Sequence, residues 1–304
     1  MSSESFPDQL QIGEKEAEQS SFEKQWVNPE KIQVGKRVIE VEDIKPEKQK
    51  TDVPMIVGLG WSETPEVNKG NIRVYVEKGR RIISPDTPHG VDALPQENYP
   101  TIELRKMTAL VKTIEEKEID KVDIVAHSEG AIFSVMAAYF YPEKFRSLVV
   151  INPAGMIGED NVVRLGVGFS ADLVGQIITE AKKEKPNEGQ TAGGSLDALG
   201  GIKVLAKNPR ASIESVFAMA NSDLRDMLIS IKEKGVKVAV VAAVDDKAFP
   251  MEKIQETLGL EHIDGFYSVK GTHNSYLLDP KPYSSLIDNA LDDLEKLSKK
   301  EKST

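Results

Sequence analysis

The sequence predicts an α/β protein whose core is a mostly parallel, eight-stranded sheet flanked by helices. Short apolar runs rich in Val and Ile recur along the chain without strict alternation, a pattern typical of strands buried on both faces of a parallel sheet. Amphipathic helical patterns separate many of these runs, which indicates parallel crossover connections. The length of 304 residues suits one large domain, or one domain with a sizeable insertion.

Eight segments have the pattern of strands. Two of them flank Gly35-Lys36, which predicts a hairpin turn. The other six are short apolar runs that end in Gly, Pro or a polar cluster. The predicted strands cover residues 31–34, 37–44, 53–58, 81–85, 122–126, 147–151, 236–244 and 266–269.

Three helical patterns stand out between and after these strands. Residues 101–117 place their Leu, Met and Val side chains on one stripe, with Glu and Lys elsewhere. Residues 284–300 do the same, and their acids come first and their lysines last, which matches the helix macrodipole. Residues 131–140 are almost wholly apolar and therefore predict a buried helix.

One connection is far longer than a single crossover helix requires. More than 80 residues separate the predicted strand ending near Ile151 from the one starting at Val236. They contain helical patterns near 171–183, 196–207, 211–220 and 222–234. We therefore predict a helical cap inserted at residues 154–232, within a core formed by residues 26–153 and 233–304. Residues 1–25, polar and without periodicity, are predicted to be a mobile acidic tail.

The composition disfavours several classes of function. With 39 Lys and Arg against 49 Asp and Glu, the net charge of −10 argues against nucleic acid and anionic membranes as partners. The absence of Cys excludes disulfides, thiolate metal sites and cysteine nucleophiles. No metal-binding spacing or phosphate-binding loop is found, so no cofactor is expected. A signal-peptide pattern and apolar runs of 18 residues are also lacking, so we expect a cytoplasmic protein.

The most informative motif is Ala126-His127-Ser128-Glu129-Gly130, between a predicted strand and the apolar helix that follows it. Small residues two positions before and after Ser128 permit the sharp strand–turn–helix that exposes a nucleophilic serine. The adjacent helix N-terminus favours negative charge that develops during a reaction. Taken alone, the pentapeptide fits equally well a serine that caps a buried helix.

Later segments supply a base and an acid for such a serine. Asp245-Asp246 follows the predicted strand 236–244, at the edge where open α/β sheets hold their sites. His273 lies in a short loop after the last predicted strand, so the order Ser128, Asp246, His273 matches one particular hydrolase fold. A solvated turn is the alternative interpretation of the two aspartates.

Backbone donors for an oxyanion are predicted after the strand 53–58, which ends in Gly58-Leu59-Gly60-Trp61. A bend at Gly60 would direct the backbone N–H of Trp61 towards a substrate carbonyl oxygen, and the N–H of Glu129 would be the second donor. A Gly-rich turn with the Trp61 ring as an apolar plug is compatible with this role.

In this combination and order, the motifs resemble the α/β-hydrolase fold, in particular its branch with a helical cap. The resemblance covers roughly residues 30–300. It implies that Ser128 is the nucleophile, His273 the base and Asp246 the acid. Asp246 is preferred to Asp245 because the family pattern puts the acid four residues before the proline, here Pro250. The sequence departs from the commoner pattern at Ala126, where Gly is usual, and at Leu59, where His is usual.

The resemblance implies a cofactor-free serine hydrolase that cleaves a carboxylic ester or related acyl bond of a small molecule. A carbon–carbon bond hydrolase, lactonase, thioesterase or aminopeptidase would carry the same residues, and a ligand receptor could retain the fold; these alternatives and a homodimer stay open. Of the other histidines, we expect His127 to be packed, His89 to shape a loop and His262 to lie at the surface.

Overall fold

The computed structural model describes residues 21–87, 89–158, 160–165, 167–168 and 207–301. A single sheet of eight strands runs through this part of the chain. The strands are β1 (Glu30–Val34), β2 (Arg37–Ile44), β3 (Met55–Gly58), β4 (Ile82–Asp86), β5 (Val122–His127), β6 (Phe145–Ile151), β7 (Lys237–Ala243) and β8 (Gly265–Val269).

The strand order is β1-β2-β4-β3-β5-β6-β7-β8. Strand β2 is antiparallel to both of its neighbours, and all pairs from β4 to β8 are parallel. The predicted mostly parallel, eight-stranded sheet is therefore confirmed. The first and last residues of each predicted strand lie within two residues of those observed. Strands β5, β6 and β7 are buried along their whole length, which explains their continuous apolar sequences.

Helices cover both faces of the sheet. They are α1 (Lys69–Glu77), α2 (Thr101–Glu116), α3 (Gly130–Phe140), α4 (Pro209–Asn221), α5 (Arg225–Glu233), α6 (Met251–Leu258), α7 (Ser275–Leu278) and α8 (Pro280–Glu301). Helices α2, α3, α5 and α6 contribute to the apolar core on one face. Helices α1 and α8 contribute to the core on the other face.

The predicted tail and cap lie only in part within the described residues. Residues 21–25, the end of the predicted tail, form a helix with Trp26, and Phe22 and Trp26 pack into an apolar cluster with strand residues such as Ile44. The ring of Phe22 stacks on that of Trp26 at 5.6 Å between centroids, and Trp26 Nε1 donates a hydrogen bond to Glu66 at 2.8 Å. Residues 1–20 lie outside the described residues.

In the predicted cap, the helical pattern near 171–183 and nearly all of the one near 196–207 lie outside the described residues. The patterns near 211–220 and 222–234 correspond to α4 and α5. Leu228 and Ile231 of α5 are fully buried in the core beside α3. The division of the chain into a core and a cap stays a prediction.

The start of α3 approaches the end of β3 very closely. A Cβ atom on Gly130 would lie 2.3 Å from the carbonyl oxygen of Gly58 and 3.0 Å from that of Leu59. Backbone atoms within a sheet cannot move away as a flexible side chain could. Glycine at position 130 is therefore required by space, and this requirement fixes how deeply α3 sits against the sheet.

We expect Gly130→Ala to lower the free energy of unfolding by about 1–3 kcal/mol, the usual cost of overpacking. Urea denaturation measures the change. Ser134→Ala in the same helix is the matched control, because Ser134 is buried and its hydroxyl forms no hydrogen bond within the described residues. Equal stability of wild type and Gly130→Ala would contradict the close approach.

Candidate active site

Ser128 lies in the sharp turn between β5 and α3. Its φ of 54° is in the left-handed region, which is uncommon for residues other than glycine. The strained turn is held by three backbone hydrogen bonds. The N–H of Ser128 donates to the carbonyl of Ile151 at 2.9 Å, and its own carbonyl accepts from Ala131 and Ala154, both at 3.1 Å.

The structure brings together the three side chains that the sequence order predicts. His273 Nε2 lies 2.9 Å from Ser128 Oγ, and His273 Nδ1 lies 2.8 Å from Asp246 Oδ2. All three residues are buried. Asp245 is exposed to solvent, so the structure joins His273 to Asp246 and not to its neighbour.

Asp246 is fixed by the loop that follows β7. Its Oδ1 atom accepts hydrogen bonds from the backbone N–H groups of Ala248 and Phe249, both at 2.8 Å. Its Oδ2 atom is thereby left for His273. Because a carboxylate only accepts, the hydrogen lies on His273 Nδ1, and the lone pair of Nε2 faces the hydroxyl of Ser128. The arrangement can withdraw a proton from that hydroxyl.

The predicted oxyanion residues lie on two adjacent segments. Glu129 directly follows Ser128 and precedes the first residue of α3. The segment after β3 runs alongside this turn, because a Cβ atom on Gly60 would lie 3.1 Å from the carbonyl oxygen of His127. Trp61 follows Gly60 and packs against the apolar core. The role of the Trp61 and Glu129 N–H groups stays a prediction.

His127 is buried as expected, and it also takes part in a hydrogen-bond network. Its Nδ1 atom lies 2.5 Å from Glu63 Oε1, and its Nε2 atom lies 3.1 Å from the carbonyl oxygen of His273. Asn68 donates to Glu63 Oε2 at 2.8 Å. Burial alone would raise the pKa of Glu63, but His127, Asn68 and the backbone at Gly60 together hold it below its usual value.

A second buried charge cluster lies beneath Glu129. Lys106 Nζ of α2 is 2.6 Å from Glu129 Oε1 and donates to the hydroxyl of Ser215 in α4 at 3.2 Å. Glu103 completes the cluster from the preceding turn of α2. Burial, followed by the charge of Glu129, raises the pKa of Glu103 well above its ordinary value. The protonated form of Glu103 is thus favoured by folding.

The remaining predicted positions are simpler. His89 lies half-buried in the loop after β4, and His262 lies half-buried in the short 3₁₀ turn before β8.

Within the described ranges, no group of three or more His, Asp and Glu side chains is arranged to bind a metal ion. None of the helices in this part of the chain combines the length and apolar character needed to cross a bilayer.

Solved structures with similar folds include several hydrolases. A carboxylesterase of Nitrososphaera gargenis is 16% identical and superposes with a TM-score of 0.61, covering 88% of this chain and 99% of its own. An esterase from Exiguobacterium antarcticum is 17% identical with a TM-score of 0.62, covering 87% and 100%. An enol-lactonase from Burkholderia xenovorans is 14% identical with a TM-score of 0.60, covering 86% and 100%.

No protein-family model matches the sequence, and no curated protein matches it. The similarity to solved structures nevertheless spans nearly all of each of them. Together with the strand order, it identifies the fold. The chain has the α/β-hydrolase fold, as the order of its motifs predicts.

The raised pKa of Glu103 has a consequence for stability. Folded Glu103 holds its proton more tightly than the unfolded chain does. The stabilisation of the fold by this proton is therefore fully present below the unfolded pKa of Glu103 and is lost as pH rises through its folded pKa. Glu103→Gln mimics the protonated form. We therefore expect it to raise the melting temperature at pH 8 and to change it little at pH 4.

Thermal unfolding at both pH values measures this effect. Glu116→Gln is the matched control, since Glu116 lies on the same helix and is exposed, and surface substitutions usually change stability by less than about 0.5 kcal/mol. An equal shift at both pH values, or a lower melting temperature for Glu103→Gln at pH 8, would argue against the raised pKa of Glu103.

Proposed function

We propose that this protein is a serine hydrolase that cleaves a carboxylic ester or a related acyl bond of a small molecule. The observation that carries the proposal is the continuous chain of hydrogen bonds from Ser128 through His273 to Asp246, at the carboxyl edge of the sheet. The left-handed backbone of Ser128 adds support, because such strain is characteristic of functional turns. Esterases among the structural neighbours agree with this chemistry.

The proposed reaction has two steps, acylation of Ser128 and hydrolysis of the acyl-enzyme. His273 Nε2 takes the hydroxyl proton of Ser128 as its Oγ bonds to the substrate carbonyl carbon. The resulting oxyanion accepts hydrogen bonds from the N–H groups of Trp61 and Glu129. The carbon–oxygen bond to the alcohol breaks, the alcohol leaves with the proton from His273, and an acyl-enzyme remains. Water, deprotonated by His273, then releases the acid and restores the hydroxyl of Ser128.

A small cavity beside the proposed donor segment is lined by Leu59 and Gly60, by Leu110 of α2 and by Phe133 of α3. Thr87 and Lys106 add polar groups to its wall. With room for about one water-sized group, it is too small to hold an acyl chain.

Replacing the proposed nucleophile tests the reaction itself. We expect wild-type protein to hydrolyse p-nitrophenyl acetate and butyrate, and Ser128→Ala to lower kcat at least about a thousandfold, because no acyl-enzyme can form. Ser134→Ala, which removes a buried hydroxyl from the next helix, should retain wild-type rates. Wild-type turnover no faster than that of Ser128→Ala would overturn the proposal.

Neighbouring aspartates provide a matched test of the acid. Asp246→Asn should lower kcat by up to about ten-thousandfold, since the amide no longer holds His273 in the reactive tautomer. Asp245→Asn should leave kcat nearly unchanged, because Asp245 is exposed and the imidazole forms its hydrogen bond with Asp246. Steady-state rates on p-nitrophenyl butyrate decide between them. A larger loss in Asp245→Asn would reverse the assignment.

A further inference from the structure

The backbone of His273 is held as firmly as its ring. Its carbonyl oxygen accepts two side-chain hydrogen bonds, from Asn152 Nδ2 at 2.8 Å and from His127 Nε2 at 3.1 Å. His127 is the last residue of β5, and Asn152 directly follows β6. The loop that carries His273 is therefore bound by side chains to the ends of two central strands.

Asn152 joins three segments at once. Its φ of 44° lies in the left-handed region, which Asn tolerates better than most residues. The backbone N–H of Asn152 donates to the carbonyl of Val241 at 2.9 Å, and its Oδ1 atom accepts from the N–H of Ala243 at 2.7 Å. Both bonds tie it to β7, so its remaining amide group has a fixed direction towards His273.

His127 is held in turn by Glu63. A carbonyl oxygen only accepts, so the contact with His273 requires a hydrogen on His127 Nε2. The contact of 2.5 Å between His127 Nδ1 and Glu63 Oε1 requires a second hydrogen. Glu63 is itself fixed by Asn68 and by its backbone N–H, which donates to Gly60 at 3.1 Å.

We propose that His127, Asn152 and Glu63 are positioning residues that set the backbone of His273 relative to Ser128. The inference rests on the proposed function, in which His273 is the base. Asp246 fixes the ring from one side, and the two donors fix the main chain from the other. Because His127 directly precedes Ser128, the same contact also links the base loop to the turn that carries the nucleophile.

Releasing the carbonyl would let His273 drift from Ser128, and a misplacement of about 1 Å can lower a rate roughly a hundredfold. We expect His127→Phe, which retains a ring without donors, to lower kcat ten- to roughly a hundredfold with little change in KM. His127→Gln, which restores a donor near the position of Nε2, should recover part of the loss. His262→Phe, in the 3₁₀ turn before β8, should leave kcat unchanged.

Asn152→Asp supplies a second variant of nearly the same shape. It still accepts from the N–H of Ala243 but no longer donates to His273, so kcat should fall as in His127→Phe. Melting temperatures confirm that each variant is folded. The low-field proton resonance of the His273–Asp246 hydrogen bond, observed by NMR, should broaden or shift in both variants and return towards its wild-type position in His127→Gln.

Wild-type kcat in folded His127→Phe and Asn152→Asp would overturn the positioning role, as would a loss of rate with an unchanged low-field resonance. The NMR measurement requires no turnover. If wild-type protein fails to hydrolyse esters, the proposed function is wrong, while a resonance that shifts in both variants still supports the contact with His273. An unchanged resonance in that case contradicts the positioning role separately.

Discussion

The turn at Ser128 is the constraint on which the rest of the site depends. Within two residues the chain must leave a fully buried strand and enter a buried helix, and it does so through a left-handed φ of 54°. That path is open only because Gly130 allows α3 to lie against the carbonyl of Gly58. Once the turn is fixed, the adjacent strand ends β6 and β7 bring Asn152 and Asp246 within reach of His273.

Buried pairs of ionisable side chains lie on both sides of the turn at Ser128. His127 before Ser128 is paired with Glu63, and Glu129 after it is paired with Lys106. Each pair is buried, where an unpaired charge would be strongly destabilising. The two pairs give each ionisable side chain beside the proposed nucleophile a partner, and they connect the turn to the segment after β3 on one side and to α2 on the other.

The features that could be predicted from the sequence are those that local residue patterns determine. Continuous β-branched runs marked the strands, and the order of three motifs indicated Ser128, Asp246 and His273. Helix α1 was not predicted, because Gly70 and the alternating Val residues of this segment are typical of a strand. Ile72 and Tyr75 stabilise the helix by packing on the sheet. The contacts of Glu63 and Asn152 arise between segments distant in the chain. Glu103 and Lys106 are buried, although the sequence pattern places the Glu and Lys residues of α2 away from its apolar stripe.

Labelling with a fluorophosphonate tests whether Ser128 is a nucleophile, because the reagent bonds only to a serine made nucleophilic by its surroundings. Digestion and mass spectrometry then locate the adduct. We expect a single adduct on Ser128, lost in Ser128→Ala and formed far more slowly in Asp246→Asn. Folded wild-type protein that stays unlabelled, or that carries the adduct on another serine, would contradict it.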